Sequence, residues 1–68
     1  MSLILNKEAY TVDGTDLYRV SSIVDGKDTR QTLQCLQTKT NGDIETLVTT
    51  RLLEKGYTSE ELTPITWE

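Results

Sequence analysis

The sequence predicts a mainly β fold that borders on the α+β class. It is expected to be a small antiparallel five-stranded meander or half-barrel. Three dipeptides that tolerate the positive φ angles of tight hairpin turns, Asp13-Gly14, Asp25-Gly26 and Asn41-Gly42, follow one another at intervals of 12 and 16 residues. The segments between them are rich in β-branched and aromatic residues, and the chain contains twelve threonines, which favour strands over helices. Short strands joined by tight turns at this spacing are typical of an antiparallel meander.

The first three strands are expected over Leu3–Val12, Leu17–Val24 and Thr29–Thr38. Alternation supports the second and third, because apolar and small residues recur at every second position. The positions expected to share one face are Tyr18, Val20, Ser22 and Val24 in the second strand and Leu33 and Cys35 in the third. Three apolar residues, Leu17, Ile23 and Leu36, break the alternation. Their presence indicates a curled sheet with both faces partly covered.

The segment that follows Asn41-Gly42 is ambiguous between strand and helix. Four of its apolar residues have helical spacing: Ile44, Leu47, Val48 and Leu52. Gly56 lies where a helix C-cap would. Against a long helix are the Asn41-Gly42 hairpin signal and the β-branched group at residues 48–50. We therefore expect a strand over Ile44–Thr49 and a short helical segment near residues 50–56; one full helix over the segment is the alternative.

The remaining residues predict a helical turn and a last strand. Thr58 and Glu61 have the spacing of a capping box, and Pro64 ends any helix that starts there. Ile65–Trp67 is expected to form a short edge strand, and Trp67 either seals the core or stays exposed as an interface anchor. Five short strands with a helical turn before the last one resemble the layout of SH3-like small barrels. This resemblance covers most of the chain and depends on no motif.

Length and composition indicate a single small domain over residues 1–68, with a mass of 7.7 kDa. No apolar run reaches ten residues and no signal peptide is recognisable, so neither a membrane span nor secretion is expected. One cysteine cannot form an internal disulfide, and a reducing, cytoplasmic location follows as the default. A domain this small has little core, so a homodimer or a partner-bound state is expected.

The residue types argue against catalysis, a metal site and a cofactor. The chain has no histidine to activate Cys35 or a serine, and one cysteine without histidine cannot complete a tetrahedral zinc site. The Asp-Gly-x-Asp clusters at residues 13–16 and 25–28 lack the ligand spacing of a calcium loop and are better explained as hairpin turns. Cys35 is expected to be a small buried thiol. The sequence predicts a protein that is not an enzyme.

Charge is distributed unevenly along the chain. Residues 1–40 carry five acids and five bases, whereas residues 41–68 carry six acids and two bases and so account for the whole net charge of −4. An acidic field repels nucleic acid and attracts a basic partner. The alternative is that these carboxylates simply keep a small protein soluble.

We therefore expect a non-enzymatic protein-binding or regulatory accessory module, of a kind common among phage and mobile-element proteins. Its predicted docking surface has Tyr57 as the apolar contact and three charged contacts: Glu54, Glu60 and Glu61. Alternatively, Tyr57 is folded inward and the acids form a solvated face. The competing function is a small β-sheet nucleic-acid-binding module that uses Tyr18, Arg19, Arg30 and Arg51.

Overall fold

Two Asp-Gly turns fold the first half of the chain into a three-stranded antiparallel meander. The computed structural model describes residues 2–68, and its first strands are β1 Leu3–Val12, β2 Thr15–Val24 and β3 Lys27–Leu36. Both residues of each turn have positive φ, 51° and 77° at Asp13-Gly14 and 53° and 81° at Asp25-Gly26. These are the angles of two-residue hairpin turns whose twist matches the strands. The two predicted hairpins and three strands are confirmed, with small shifts of the strand ends.

A bulge interrupts the pairing of β2 with β3. The register shifts between Ser21 and Ile23, and Arg30 in the bulge has a φ of 59°. The Thr29 hydroxyl lies 2.7 Å from the Ser22 hydroxyl, and it also accepts a hydrogen bond from the Gln31 backbone amide at 3.2 Å. The side chain of Thr29 thus organises the extra residues of the bulge.

The segment after β3 forms one helix, α1 Asn41–Glu54, and the predicted strand over Ile44–Thr49 is wrong. Asn41-Gly42 is the first turn of this helix and not a hairpin. Thr40 is its N-cap: the Thr40 hydroxyl accepts from the Asp43 amide at 3.2 Å, and the Asp43 carboxylate accepts from the Thr40 amide at 3.3 Å. This reciprocal pair satisfies two backbone donors and stabilises a helix start at Asn41. The predicted short helix at residues 50–56 is only the last part of α1.

The end of the helix and the turn after it agree with the sequence prediction. Gly56, with a φ of 109°, donates to the Leu53 carbonyl, and Tyr57 donates to the Leu52 carbonyl. This is the Schellman pattern, in which a glycine ends a helix in a left-handed conformation. Thr58 and Glu61 exchange the hydrogen bonds of a capping box around the next turn.

The last strand, β4 Ile65–Trp67, pairs with β1 and runs parallel to it. The sheet is therefore mixed, with four strands in the order β3-β2-β1-β4 among the described residues. The fold is mainly β with one helix. The predicted fifth strand is absent from residues 2–68 because its sequence is helical, so the SH3-like layout that depended on it is not confirmed.

The helix covers one face of the sheet. Its buried side chains are spaced by four residues, Ile44, Val48 and Leu52, and they pack on that face together with Leu62. The strand residues buried beneath them are Leu3, Leu5, Val20, Val24 and Cys35. Cys35 is a buried free thiol, as predicted.

No element of residues 2–68 covers the opposite face, which we call the open face. It carries the alternate residues from Ile4 to Tyr10 of β1, from Leu17 to Ile23 of β2, and from Thr32 to Leu36 of β3. At one end it also carries Asp28, which pairs with Ile23, and Thr66, which pairs with Ile4, and the Glu68 carboxylate accepts a hydrogen bond from the Asn6 side chain at 3.3 Å. The helix, which has 14 residues, is neither long nor apolar enough to cross a membrane, and it is the one helix in the described part of the chain.

Candidate functional site

Two surfaces are candidates for function, the acidic end of the molecule and the open face of the sheet. The acidic end comprises Glu54 and the turn from Tyr57 to Glu61. Within residues 2–68, no group of three or more His, Cys, Asp or Glu side chains is arranged to hold a metal ion.

The acidic end brings together two of the four predicted docking residues. Tyr57 and Glu61 line one shallow concavity of about 280 Å³ with Lys55 and Gly56. Glu54 lies in a neighbouring groove of about 370 Å³, whose other lining residues are Leu33, Leu47, Thr50, Arg51 and Lys55. Glu60 is exposed and lines neither. Lys55 lines both the concavity and the groove, and its positive charge reduces the net negative charge of each.

Tyr57 and Glu61 each have a structural role in addition to the predicted one. Tyr57 is half-buried, and it packs against the core at the point where its amide closes the helix end. One carboxylate oxygen of Glu61 accepts hydrogen bonds from both the amide and the hydroxyl of Thr58, at 2.9 and 3.1 Å. The other oxygen of Glu61, the exposed carboxylates of Glu54 and Glu60, and the outer part of the Tyr57 ring are the groups that a partner could contact.

The open face consists of rows of side chains that are neighbours across the strands. One row is apolar, Tyr10 with Leu17 and Leu36, and another has Ile4 and Ile23 at its centre with Thr66 and Asp28 on the outer strands. Between them lie two polar rows: Asn6 with Ser21 and Thr32, and Glu8 with Arg19 and Gln34. The Arg19 guanidinium lies over the Tyr10 ring, 4.7 Å from its centroid, which fixes the cation above the aromatic face.

Sequence reasoning did not identify the open face as a site, although the signal was present. The signal is the break in the alternation of β2 and β3 at Leu17, Ile23 and Leu36. These residues were expected to be partly covered, on the prediction that both faces of the sheet are. The structure places them on the face that has no cover, where Leu36 is 47% exposed. Apolar residues on the outer face of an alternating strand are thus a usable indication of an unpartnered surface.

The residues predicted for the competing nucleic-acid function do not share one surface. Tyr18 lies on the helix-covered side and packs against the core, whereas its neighbour Arg19 lies on the open face. Arg30 is in the bulge at the β3 edge, and Arg51 is on the helix.

A further aromatic cluster fastens β4 to the rest of the molecule. The Lys7 ammonium lies 4.7 Å from the ring centroid of Tyr18 and 5.4 Å from that of Trp67, and it donates to the Asn41 side chain at 2.7 Å. The Trp67 indole donates to the Glu45 carboxylate at 2.7 Å. Trp67 is half-buried against the core, so of the two roles predicted for it the structure supports sealing.

Comparison of the chain with family models, curated proteins and solved structures gives no match.

Proposed function

We propose that this chain is a non-enzymatic protein-binding module whose acidic end docks onto a basic surface of a larger protein. The observation that carries the proposal is the position of the charge: residues 41–68 carry the whole net charge of −4, and three of their six acids, Glu54, Glu60 and Glu61, lie at the acidic end, beside the bases Arg51 and Lys55. Clustered carboxylates raise the association rate of a basic partner through long-range attraction. The Tyr57 ring beside them adds apolar contact area at low entropic cost.

The structure supports this function better than it supports nucleic-acid binding. The competing function needs bases and aromatic rings on one surface, and Tyr18, Arg19, Arg30 and Arg51 are distributed over both sides of the sheet, its edge and the helix. An acidic protein with a pI near 4.6 also lacks the positive field that phosphate backbones require.

The test compares two variants that have the same net charge. E54Q/E60Q removes two exposed carboxylates from the acidic end, and T15K/T38K adds two cations at exposed positions on the first hairpin and before the helix. A partner is first identified by cross-linking in producing cells, and its association with each purified variant is then measured against salt concentration. We expect E54Q/E60Q to associate several-fold more slowly, with a weaker salt dependence, and T15K/T38K to resemble the wild type.

Equal rates for the wild type and E54Q/E60Q would show that the acids only keep the protein soluble. Salt-sensitive retention of the wild type on single-stranded DNA or heparin would instead support the competing function.

A further inference from the structure

The outer edge of β3 carries backbone groups that the sheet does not use. β3 is an edge strand, and within residues 2–68 its one neighbour is β2. In an antiparallel pair, the backbone groups of alternate residues point toward the neighbouring strand and away from it. The two-residue turn at Asp13-Gly14 fixes this alternation, and it directs the backbone of three β3 residues outward: Thr32, Gln34 and Leu36. The Leu36 carbonyl accepts from the Lys39 amide at 3.1 Å, so the open groups are the three amides and the other two carbonyls.

The two halves of this edge differ in how they are protected from pairing. In the bulge, the Arg30 amide donates to the Asp28 carboxylate at 2.8 Å. The Gln31 amide donates to the Thr29 hydroxyl at 3.2 Å, so both of these donors are satisfied. Residues 32–36, in contrast, contain neither a charge nor a proline, which are the residues that protect an edge strand. This second half of β3 can therefore accept another strand.

A groove beside the open half of the edge can receive the side chains of an added strand. It lies between β3 and α1, has a volume of about 370 Å³, and has Leu33 and Leu47 as its apolar lining residues. Arg51 lies one helical turn beyond Leu47, and it lines both this groove and the small void beside Thr32 and Leu33. Successive side chains on one face of a strand are about 6.7 Å apart, close to the rise of about 6 Å between helix residues four apart. An added strand thus places one side chain at the two leucines and the next at Arg51.

Charge on this side of the molecule is complementary to an acidic segment. The strand β3, residues 37–40 and the groove contain two acids, Asp28 and Glu54, and five of the seven bases of the chain: Lys27, Arg30, Lys39, Arg51 and Lys55. Five bases and two acids give this region a charge of +3, in a chain whose net charge is −4. A second copy paired through the same edge would bring two such regions together, and their like charges would repel. An acidic strand is attracted instead.

We propose that the β3 edge and the groove bind an extended acidic segment of a partner protein, which adds a strand to the sheet. The backbone of this segment pairs with the outward groups of residues 32–36. One apolar side chain enters between Leu33 and Leu47, and an acid two residues away faces Arg51. In strand addition, main-chain hydrogen bonds supply affinity and pockets for alternate side chains supply specificity. This site goes beyond the proposed function, which concerns the acidic end and a basic surface.

Selection from a random decapeptide library displayed on phage tests the site, because such a library assumes nothing about the partner. The wild type should enrich peptides in which an apolar residue and an acid are two positions apart. Q34P removes the central outward amide and should enrich no such motif, whereas its fold is expected to persist because proline is tolerated where an edge amide faces solvent. The matched control is Q34T, which loses the same side chain, keeps the amide and should enrich the wild-type motif. Circular dichroism checks the fold of both variants.

Calorimetric titration with the most enriched peptide, made synthetically, tests the groove. L47E should weaken binding at least about tenfold, because it places a charge at the apolar contact. L53E changes an equally exposed leucine of the same helix that does not line the groove, and it should bind like the wild type. R51E should reverse the charge preference, so that a peptide with lysine in place of its acid binds R51E better than the original peptide does. A reversed preference cannot come from a folding defect, so R51E decides the question even where Q34P fails to fold.

Three results would overturn the proposal: a selection without a motif, binding that L47E leaves intact, or an R51E variant that keeps the wild-type charge preference. A wild type whose mass doubles with concentration while that of Q34P does not would assign the edge to a second copy instead. The test is independent of the proposed function, because Glu54 is the one acid that lines the groove. E54Q/E60Q, which impairs docking through the acidic end, should therefore bind the peptide at least as tightly as the wild type.

Discussion

Among single residues, Ser22 and Thr29 show how a buried polar group is accommodated. Ser22 lies on the helix-covered face with 2% of its surface exposed, and its hydroxyl pairs with that of Thr29 at 2.7 Å. Thr29 also donates to the Ser22 carbonyl at 3.3 Å, so its hydroxyl keeps a partner of its own. Alternation predicted the face of Ser22, but the bulge that brings Thr29 to it has no marker in the sequence. Arg30 adopts a positive φ where a glycine would have been the recognisable signal.

We predict that Thr29→Val destabilises the protein more than Ser22→Ala does. The valine leaves the buried Ser22 hydroxyl and the Gln31 amide without their partner, which costs about 1–3 kcal/mol. Ser22→Ala removes the buried hydroxyl itself, and Thr29 keeps its bonds to the backbone, so the expected cost is about 1 kcal/mol or less. Urea unfolding of the two variants measures the difference. Equal losses of stability would contradict the assigned role of Thr29.

Among the elements, α1 is the one that sequence reasoning misjudged, because two local signals conflicted. Asn41-Gly42 is a strong hairpin dipeptide, and residues 48–50 are β-branched. The capping box formed by Thr40 and Asp43 outweighs the first signal. Tertiary packing outweighs the second, since Val48 is buried against the sheet together with Ile44 and Leu52. The turns, β1 to β3 and the Gly56 helix end were predictable because each depends on adjacent residues alone.

The N-cap of α1 can be tested directly. We predict that Thr40→Ala lowers the free energy of unfolding by about 1 kcal/mol, because the Asp43 amide loses its acceptor and the capping box is broken. In a domain of this size, such a loss lowers the melting temperature by about 4–8 °C. The matched control is Thr38→Ala, at an exposed position outside the helix, which should change stability by less than about 0.5 kcal/mol. A Thr40→Ala variant as stable as the control would show that the helix does not depend on its cap.

At the scale of the whole molecule, the sheet has two different halves. The half that contains Leu3, Leu5, Val20 and Val24 is covered by α1 and adjoins β4. Between Asn6 and Arg19, the first hairpin contributes no fully buried residue, and the molecule is 38 Å long but only 19 Å wide. The parallel pairing of β4 with β1 could not be predicted, because it depends on how far α1 carries the chain back along the sheet. The candidate sites were only half predictable for the same reason: charge is visible in a sequence, whereas an uncovered face is known only after the helix has been placed.

This division predicts the order in which the structure opens. Backbone amides from Ala9 to Leu17 should exchange with solvent at least about tenfold faster than those of Leu3–Leu5 and Val20–Val24, because few apolar contacts hold the outer hairpin when its ladder bonds open. Hydrogen exchange followed by NMR at a concentration well below that of any self-association measures both groups in one sample. Uniform exchange along β1 and β2 at low concentration would contradict this prediction. It would show that the first hairpin opens together with the helix-covered half, as one cooperative unit.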